Sequence, residues 1–352
     1  MYTFTTPNLN NINYKKMDLS TTYLGLKLKN PIIIGASNLV TDLNFLKKLE
    51  EAGASAIVYK SLFEEQIQLE NLENYQAVED YGNRHAEMGS MLPIAEDNGP
   101  AEFLLNLSAA RKSLNIPLIA SLNAVYDDTW YEYAKKIEET GVDALELNFY
   151  AVPREFDIDD NSILQEQLDT LEGVKKAVKI PVSVKLSPFY TNPLYCIGEL
   201  DKKGADGFVL FNKLFQPDID IAKEVLHYPY ILSNDEDNRL PLRFAGLLYG
   251  NIKGNICSNT GIFTGKDVLK MLLAGADAVQ IVSTIYKHGP KQIGKILGEM
   301  EEWMNQKKYQ SISDFKGKLS KNNLKDPYAY QRAQYVDILM RSKDIFNKFP
   351  IR

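Results

Sequence analysis

The stretch LKMLLAGADAVQIVST (269–284) closes a helix-like pattern on a glycine, takes a short small-or-acidic step, and enters an apolar run of strand length. The same grammar occurs in LKKLEEAGASAIVYKS (46–61), AKKIEETGVDALELNF (134–149) and GELDKKGADGFVLFNK (198–213). A glycine at that place suits the left-handed conformation that ends a helix, where a Cβ is penalised. The apolar runs show no polar alternation, as expected of strands buried on both faces of a parallel sheet.

Working outward, strands are expected at 31–37, 56–61, 117–122, 144–149, 181–186, 207–212, 255–259 and 278–283. Helices are expected near 41–52, 100–113, 128–140, 163–178, 193–203, 241–251, 265–274 and 290–306. Eight strand–helix pairs predict an α/β fold closed as a TIM (β/α)8 barrel, a single domain over 17–307. Residues 1–16 read as a disordered polar leader. Residues 62–99 form an insertion after the second strand, too long for a plain loop. Residues 213–240 form a long loop or excursion. Residues 308–352 are expected to be a C-terminal extension with an added helix that packs on the barrel or on a partner.

Composition narrows the function classes. The 352 residues are 45% hydrophobic and 24% charged, with net charge -6, so no basic footprint for nucleic acid or anionic membrane is present. Cys196 and Cys257 lie far apart, and the three histidines are scattered. These spacings argue against a disulfide framework, a zinc site or an iron–sulfur cluster. No apolar run reaches 18 residues, and the N-terminus lacks the apolar core of a signal peptide. A cytoplasmic protein is expected, with no metal, no nucleic acid and no membrane.

A barrel of this kind places its site at the C-terminal strand ends. The polar residues ending the apolar runs are Ser37, Asn38, Lys60, Ser61, Ser121, Asn123, Asn148, Lys185, Ser187, Asn212, Lys213, Asn259, Thr260, Ser283 and Thr284. Lys60 and Lys185 follow buried runs. An enclosed ammonium needs a partner, and a bound anion would be one; the plainer account is a lysine reaching from the rim to water. The last two strands lead into SNTGIFTGKD (258–267) and VSTIYKHGP (282–290). Loops at this place commonly hold phosphate, so Gly261, Ser283 and Thr284 are candidates, with Ser283 and Thr284 adding hydroxyl donors. Asn123, Asn148 and Asn212 can donate and accept along the edge of a heterocycle, although any one alone reads as a turn residue. Flavin mononucleotide (FMN) fits this combination.

At these residues the sequence resembles the dihydroorotate dehydrogenases, especially the soluble first class. The resemblance rests on LSTTYLGLKLKNPIIIGASN (19–38), VYKS (58–61), ELN (146–148), VKLSPF (184–189), NTGIFTGKDVLKMLLAGADAVQIVST (259–284), HGP (288–290) and MNQKKYQSISDFKGKL (304–319). It implies an N-terminal hairpin, FMN as cofactor, hydride transfer from substrate to flavin, a soluble electron acceptor and a homodimer. It further implies that Ala36, Ser37, Lys60, Asn148 and Lys185 line the flavin, that Asn212 contacts substrate, and that Gly261, Ser283 and Thr284 hold the phosphate.

The chain departs from the family where substrate should react. The family places a Cys or Ser base after the fourth strand, where this chain has Ala151, with Tyr150 beside it. Met88 stands where the substrate loop usually carries Asn, and Lys213 where a hydroxyl usually follows Asn212. Tyr150, Ser90 or Lys60 could act as base, or a more acidic substrate could need none. Ser90 is also a candidate substrate contact. Three readings stay open: oxidation of dihydroorotate or a related dihydro-heterocycle, a Schiff-base aldolase or lyase using Lys185 or Lys60, and a flavin-binding protein without that activity.

Overall fold

A computed structural model describes residues 17–68, 99–150 and 160–341, together with Asn347. The expected leader and most of the insertion after the second barrel strand fall outside the described residues. A hairpin of β1 (Thr21–Tyr23) and β2 (Leu26–Leu28) precedes the barrel. The barrel strands are β3 (Ile32–Ile34), β4 (Ala56–Phe63), β5 (Leu118–Asn123), β6 (Ala144–Asn148), β7 (Val182–Leu186) and β8 (Gly207–Leu210). A small antiparallel hairpin, β9 (Asp218–Asp220) and β10 (Val225–His227), then intervenes before β11 (Asn255–Asn259) and β12 (Ala278–Ile281) complete the barrel. All eight barrel pairings are parallel and the sheet closes on itself in sequence order. This is the TIM barrel expected.

Helices α1 (Leu43–Glu51), α2 (Pro100–Ser113), α3 (Asp127–Glu139), α4 (Asp160–Ala177), α5 (Pro193–Lys202), α6 (Arg239–Leu248) and α7 (Gly265–Ala274) follow the strands. The short α8 (Ser283–His288) starts two residues after β12, and α9 (Lys291–Lys307) and α10 (Arg332–Met340) come after it. Two expectations need correction. The excursion after β8 is not a bare loop, since it carries the β9–β10 hairpin. The eighth strand ends at Ile281, because Ser283 and Thr284 already belong to α8.

The four repeated phrases have one physical explanation. Their glycines, Gly53, Gly141, Gly204 and Gly275, all adopt positive φ. Two residues later, Ser55, Asp143, Asp206 and Asp277 each donate their N–H to the first strand of the preceding pair, at Ile32, Leu118, Val182 and Ile256. The three aspartates also accept the N–H of that same residue, at 2.8, 2.7 and 2.8 Å. Each is therefore a two-way clamp that fixes strand register at the N-terminal rim. Arg111, Lys175 and Lys316 balance the three carboxylates.

The barrel bore is layered. Its lower layer is apolar, with Ile33, Ala56, Val58, Ile119, Ala144, Val209, Cys257 and Ala278 packed on Tyr23, Leu24 and Leu28 of the first hairpin. That hairpin closes the bottom: a Cβ on Gly207 would lie 2.7 Å from Leu24. One step up the same inward faces, the residues become polar, as Ser121, Glu146 and Gln280 follow Ile119, Ala144 and Ala278. The strands are thus less uniformly apolar than their hydropathy suggests.

The segment after α9 lies against the barrel. Gly317 and Leu319 donate to Leu272 and Leu273 of α7, and Lys321 donates to Gly246 of α6, each at 2.8 Å. Gly246 leaves the space that the Tyr330 ring occupies, and the Tyr330 hydroxyl donates to Leu319 at 2.7 Å.

Candidate functional site

The C-terminal ends of β3, β7, β8, β11 and β12 surround a cavity. Its floor is made by Lys185 and Gln280. One wall is the Thr260–Gly261 turn with the start of α8. The adjoining wall comes from the excursion, through Lys213, Phe215 and Tyr230 to Ser233.

Lys185 is 6% exposed and sits over a carboxylate that is fully buried. Its ammonium lies 3.6 Å from Glu146 Oε1 and 3.5 Å from Gln280 Oε1. Gln280 in turn donates to Glu146 Oε2 at 2.6 Å. An ammonium has three donors, and neither long contact saturates one, so Lys185 keeps hydrogen-bonding capacity toward the cavity. Below this group, burial and then the Glu146 charge push the Cys257 thiol well above its usual range, which makes it an inert core residue.

The strand-end amides form a chain. Asn212 donates to Asn148 Oδ1 at 2.7 Å, and Asn123 donates to the Asn148 carbonyl at 2.8 Å. Asn148 is thereby oriented from both sides. Asn212 lines the cavity, whereas Asn148 and Asn123 stand beside it at the same mouth.

At the other end, Thr260 and Gly261 both adopt positive φ, 70° and 66°. A side chain at Gly261 would strike the Asn238 backbone, and the Asn238 amide caps the Gly261 carbonyl at 2.9 Å. The two hydroxyls expected to donate here are engaged within the protein. Ser283 Oγ accepts from Ser233 N at 2.9 Å and donates to Ser233 Oγ, and Thr284 donates to the Ile262 carbonyl. An anion at this end would therefore meet backbone N–H groups, including the first ones of α8, which have no acceptor within the helix.

The sequence candidates divide accordingly. Ala36, Lys185, Asn212, Gly261, Ser283 and Thr284 come together in the cavity wall. Ser37 adjoins it, with its hydroxyl buried beside that of Tyr286. Lys60 is half-buried and does not line the cavity. The reason is a bulge: β4 carries one more residue than β5 between the pairs Val58–Ile119 and Ser61–Ser121. Ser61 therefore takes the place opposite Ser121, with 2.7 Å between the hydroxyls. Tyr150 lies two residues beyond β6 and is 43% exposed. Ala151, Met88 and Ser90 lie outside the described residues.

Sequence reasoning missed Glu146 and Gln280, which sit inside strands. The available signal was a charged and an amide residue within runs otherwise fit for a dry core. It also missed the excursion's contribution. Phe215 stacks on Tyr230 at 4.9 Å, and Tyr230 meets Tyr286 edge-on at 5.9 Å. Burial, with the Tyr230 hydroxyl, pushes Tyr286 up to about 12. Lys213 is paired with Asp237 at 2.8 Å. Burial disfavours the Asp237 charge, but the Lys213 hydrogen bond, the Asn234 amide and the charges of Lys213 and Lys287 outweigh it and lower its pKa.

Among the described residues, no helix is long and apolar enough to cross a membrane, and no three His, Cys, Asp or Glu side chains gather as a metal site.

Comparison with known proteins agrees with this architecture. The family model described as dihydroorotate dehydrogenase matches residues 18–304. The chain is 29% identical to the catalytic subunit of dihydroorotate dehydrogenase B (NAD(+)) from Thermoplasma volcanium, covering 85% of this chain and 98% of that protein. The protein of the same name from Methanocaldococcus jannaschii is 30% identical, over 82% and 94% of the two chains. A chloroplastic dihydropyrimidine dehydrogenase (NADP(+)) from Arabidopsis thaliana is 23% identical, over 85% and 76%. The match runs from the first hairpin through α9 and so takes in every wall of the cavity: the chain belongs to the dihydroorotate dehydrogenase family.

Proposed function

We propose that the chain is an FMN-dependent oxidoreductase that oxidises dihydroorotate or a related dihydropyrimidine ring. The observation that carries this reading is Lys185, held with unsaturated donors on the cavity floor opposite the Gly261–α8 turn. A polar ring edge fits one end and a phosphate the other. FMN held there supplies two-electron acceptance from a C–H bond of the substrate.

The chain's own groups then have distinct tasks. Lys185 places positive charge against the side of the ligand that gains electrons. Asn148, oriented by Asn123 and Asn212, presents its amide to the polar edges of flavin and substrate. Backbone N–H groups near Gly261 and at Ser283 and Thr284 hold the phosphate. Lys60 and Ser90 border the substrate side in this reading. Tyr150 is the candidate for taking the substrate proton, because Ala151 cannot; a positioned base contributes ~10²–10⁴-fold.

The names of the relatives support both parts of the substrate proposal, since dihydroorotate and dihydropyrimidines share a reduced pyrimidine ring. Lys213, paired to Asp237 beside Asn212, favours a substrate other than dihydroorotate itself, because a salt-bridged lysine replaces a small hydroxyl there. Electrons pass to a soluble acceptor, in line with the NAD(+) and NADP(+) of those names. Two buried free cysteines support a reducing compartment such as the cytoplasm. The exposed apolar side chains Ile219, Ile221 and Leu226 of the β9–β10 hairpin support a homodimer.

The test is a visible spectrum of the purified protein, followed by anaerobic addition of dihydroorotate and then of dihydrouracil. A yellow protein bleached by either compound is the expected result. A colourless protein that takes up no FMN would sink the proposal, and trapping of a substrate by borohydride would favour a Schiff-base enzyme instead.

A further inference from the structure

We propose that Glu146 and Gln280 are positioning residues that act through Lys185, forming a clamp across the barrel that holds the ammonium up toward the ligand and partly balances its charge. This inference rests on the FMN reading of the cavity and goes beyond it.

The clamp spans the bore. In the closed strand order, β6 and β12 stand four strands apart, on opposite sides of the barrel. The 2.6 Å bond from Gln280 to Glu146 therefore ties one wall to the other. Both side chains are fully buried. A buried carboxylate is costly unless paired, and replacing such a pair by apolar residues is often neutral or stabilising. Stability alone thus gives no reason for this group.

Its geometry points to a different task. A purely structural ion pair closes to roughly 2.7–2.9 Å. Here Lys185 stops 3.6 Å from Glu146 Oε1, and that oxygen has no hydrogen-bond partner among the described residues. The ammonium also stops 3.5 Å from Gln280 Oε1. Gln280 explains the standoff: its amide holds the carboxylate through Oε2, while its carbonyl offers the lysine a second, lateral acceptor. Space for that carbonyl is reserved on β3. A Cβ on Gly35 would lie 3.2 Å from Gln280 Oε1 and 2.8 Å from Val282. The lysine is left between two acceptors, with its remaining donors directed at the cavity that it lines.

The two partners then have opposite effects on the ligand. Glu146 offsets part of the lysine charge. Gln280 prevents the carboxylate from drawing the lysine down. Removing the Glu146 charge should strengthen the positive field at the ligand, whereas removing Gln280 should weaken it.

The test uses the FMN-loaded protein and the flavin midpoint potential, measured by dye equilibration. In Glu146→Gln the reduction equilibrium should shift at least tenfold toward reduced flavin, a rise of about 30 mV for a two-electron couple. In Gln280→Met it should shift the other way. Lys185→Met should lower the potential, and in that background Glu146→Gln should raise it clearly less than it does alone. An unchanged or lowered potential in Glu146→Gln, or an equal rise in the double variant, overturns the proposal. Where Glu146→Gln does not fold, Gln280→Met decides by the same sign rule.

A crystal structure of Gln280→Met gives a readout that needs no flavin. The Lys185–Glu146 distance should close from 3.6 Å to about 2.8 Å. A distance that stays open overturns the clamp even if FMN binds. Failure of the wild-type protein to take up FMN, with the distance closing as expected, would instead remove the ligand reading and leave the clamp.

Discussion

The two rims of this barrel are built by opposite rules. At the N-terminal rim the polar groups face one another and are closed off. Asp143, Asp206 and Asp277 each give and receive a backbone hydrogen bond on one partner residue, and each is balanced by a cation. At the C-terminal mouth the polar groups stop short. Lys185 keeps long contacts, and Glu146 Oε1 is buried without a hydrogen-bond partner among the described residues. Saturated polar groups fix register, while unsaturated ones cost stability and are available to a ligand. The difference separates the part that folds the chain from the part that binds.

That division can be broken by substitution. The largest effect should come from Gly275→Ala at the folding rim. Gly275 has φ +127° and leaves no room for a Cβ beside the Tyr249 ring. Strain plus overpacking should cost on the order of 3 kcal/mol or more in urea unfolding. The protein that remains folded should bind FMN with unchanged affinity, and a weakened affinity in that fraction would show that the rims are coupled.

Asp206→Ala should come next. It leaves the Val182 N–H buried and unsatisfied, at a cost of about 2 kcal/mol. Its ion pair with Lys175 adds little, since both side chains are about a third exposed. Again the loss should appear in the urea midpoint and not in ligand affinity.

Asn212→Ala at the mouth should invert the pattern. It removes a single bond to Asn148, so stability should fall by roughly 1 kcal/mol or less. Substrate KM should rise about tenfold or more, the equivalent of ~1.4 kcal/mol of lost binding. A large loss of stability with KM unchanged would place Asn212 among the folding residues.

The sequence was legible where one residue type has one physical use. Gly53, Gly141, Gly204 and Gly275 announced their helix ends because positive φ selects glycine locally, and from that repeat the barrel followed. Lys185, Asn212 and Gly261 were legible because a parallel strand ends at the mouth whatever its neighbours do. Lys60 stands outside the cavity lining because a bulge is set by the pairing of β4 with β5, which no local pattern records. Glu146 and Gln280 were hidden because hydropathy averages a strand, and LEL and VQI still read as apolar. The partner that makes each tolerable lies on the far wall, 134 residues away in sequence. The six-residue α8 is too short for a helical period to show. The β9–β10 hairpin did leave a trace, in the alternation of DIDI before the turn at Glu224, whose φ is +53°.

The smallest expected effect sharpens the comparison most, because it concerns a saturated pair at the unsaturated rim. Lys213 and Asp237 are each a third exposed and close to 2.8 Å. Burial works against the Asp237 charge, but the Lys213 bond and the neighbouring charges leave its pKa below the usual value. Its folded pKa is therefore lower than its unfolded one. The stabilisation is complete above the ordinary aspartate value of about 4 and disappears as pH falls through the folded value. Solvent screening limits it to less than ~1 kcal/mol. Asp237→Asn should accordingly be slightly less stable than the parent at about pH 6, with the gap narrowing as pH falls below about 4. A gap that survives in acid would mean that Asp237 acts through its hydrogen bond to the Asn234 amide alone, as the rim aspartates do. A gap that vanishes would show that the Asp237 charge, with its pairing to Lys213, carries the stabilisation.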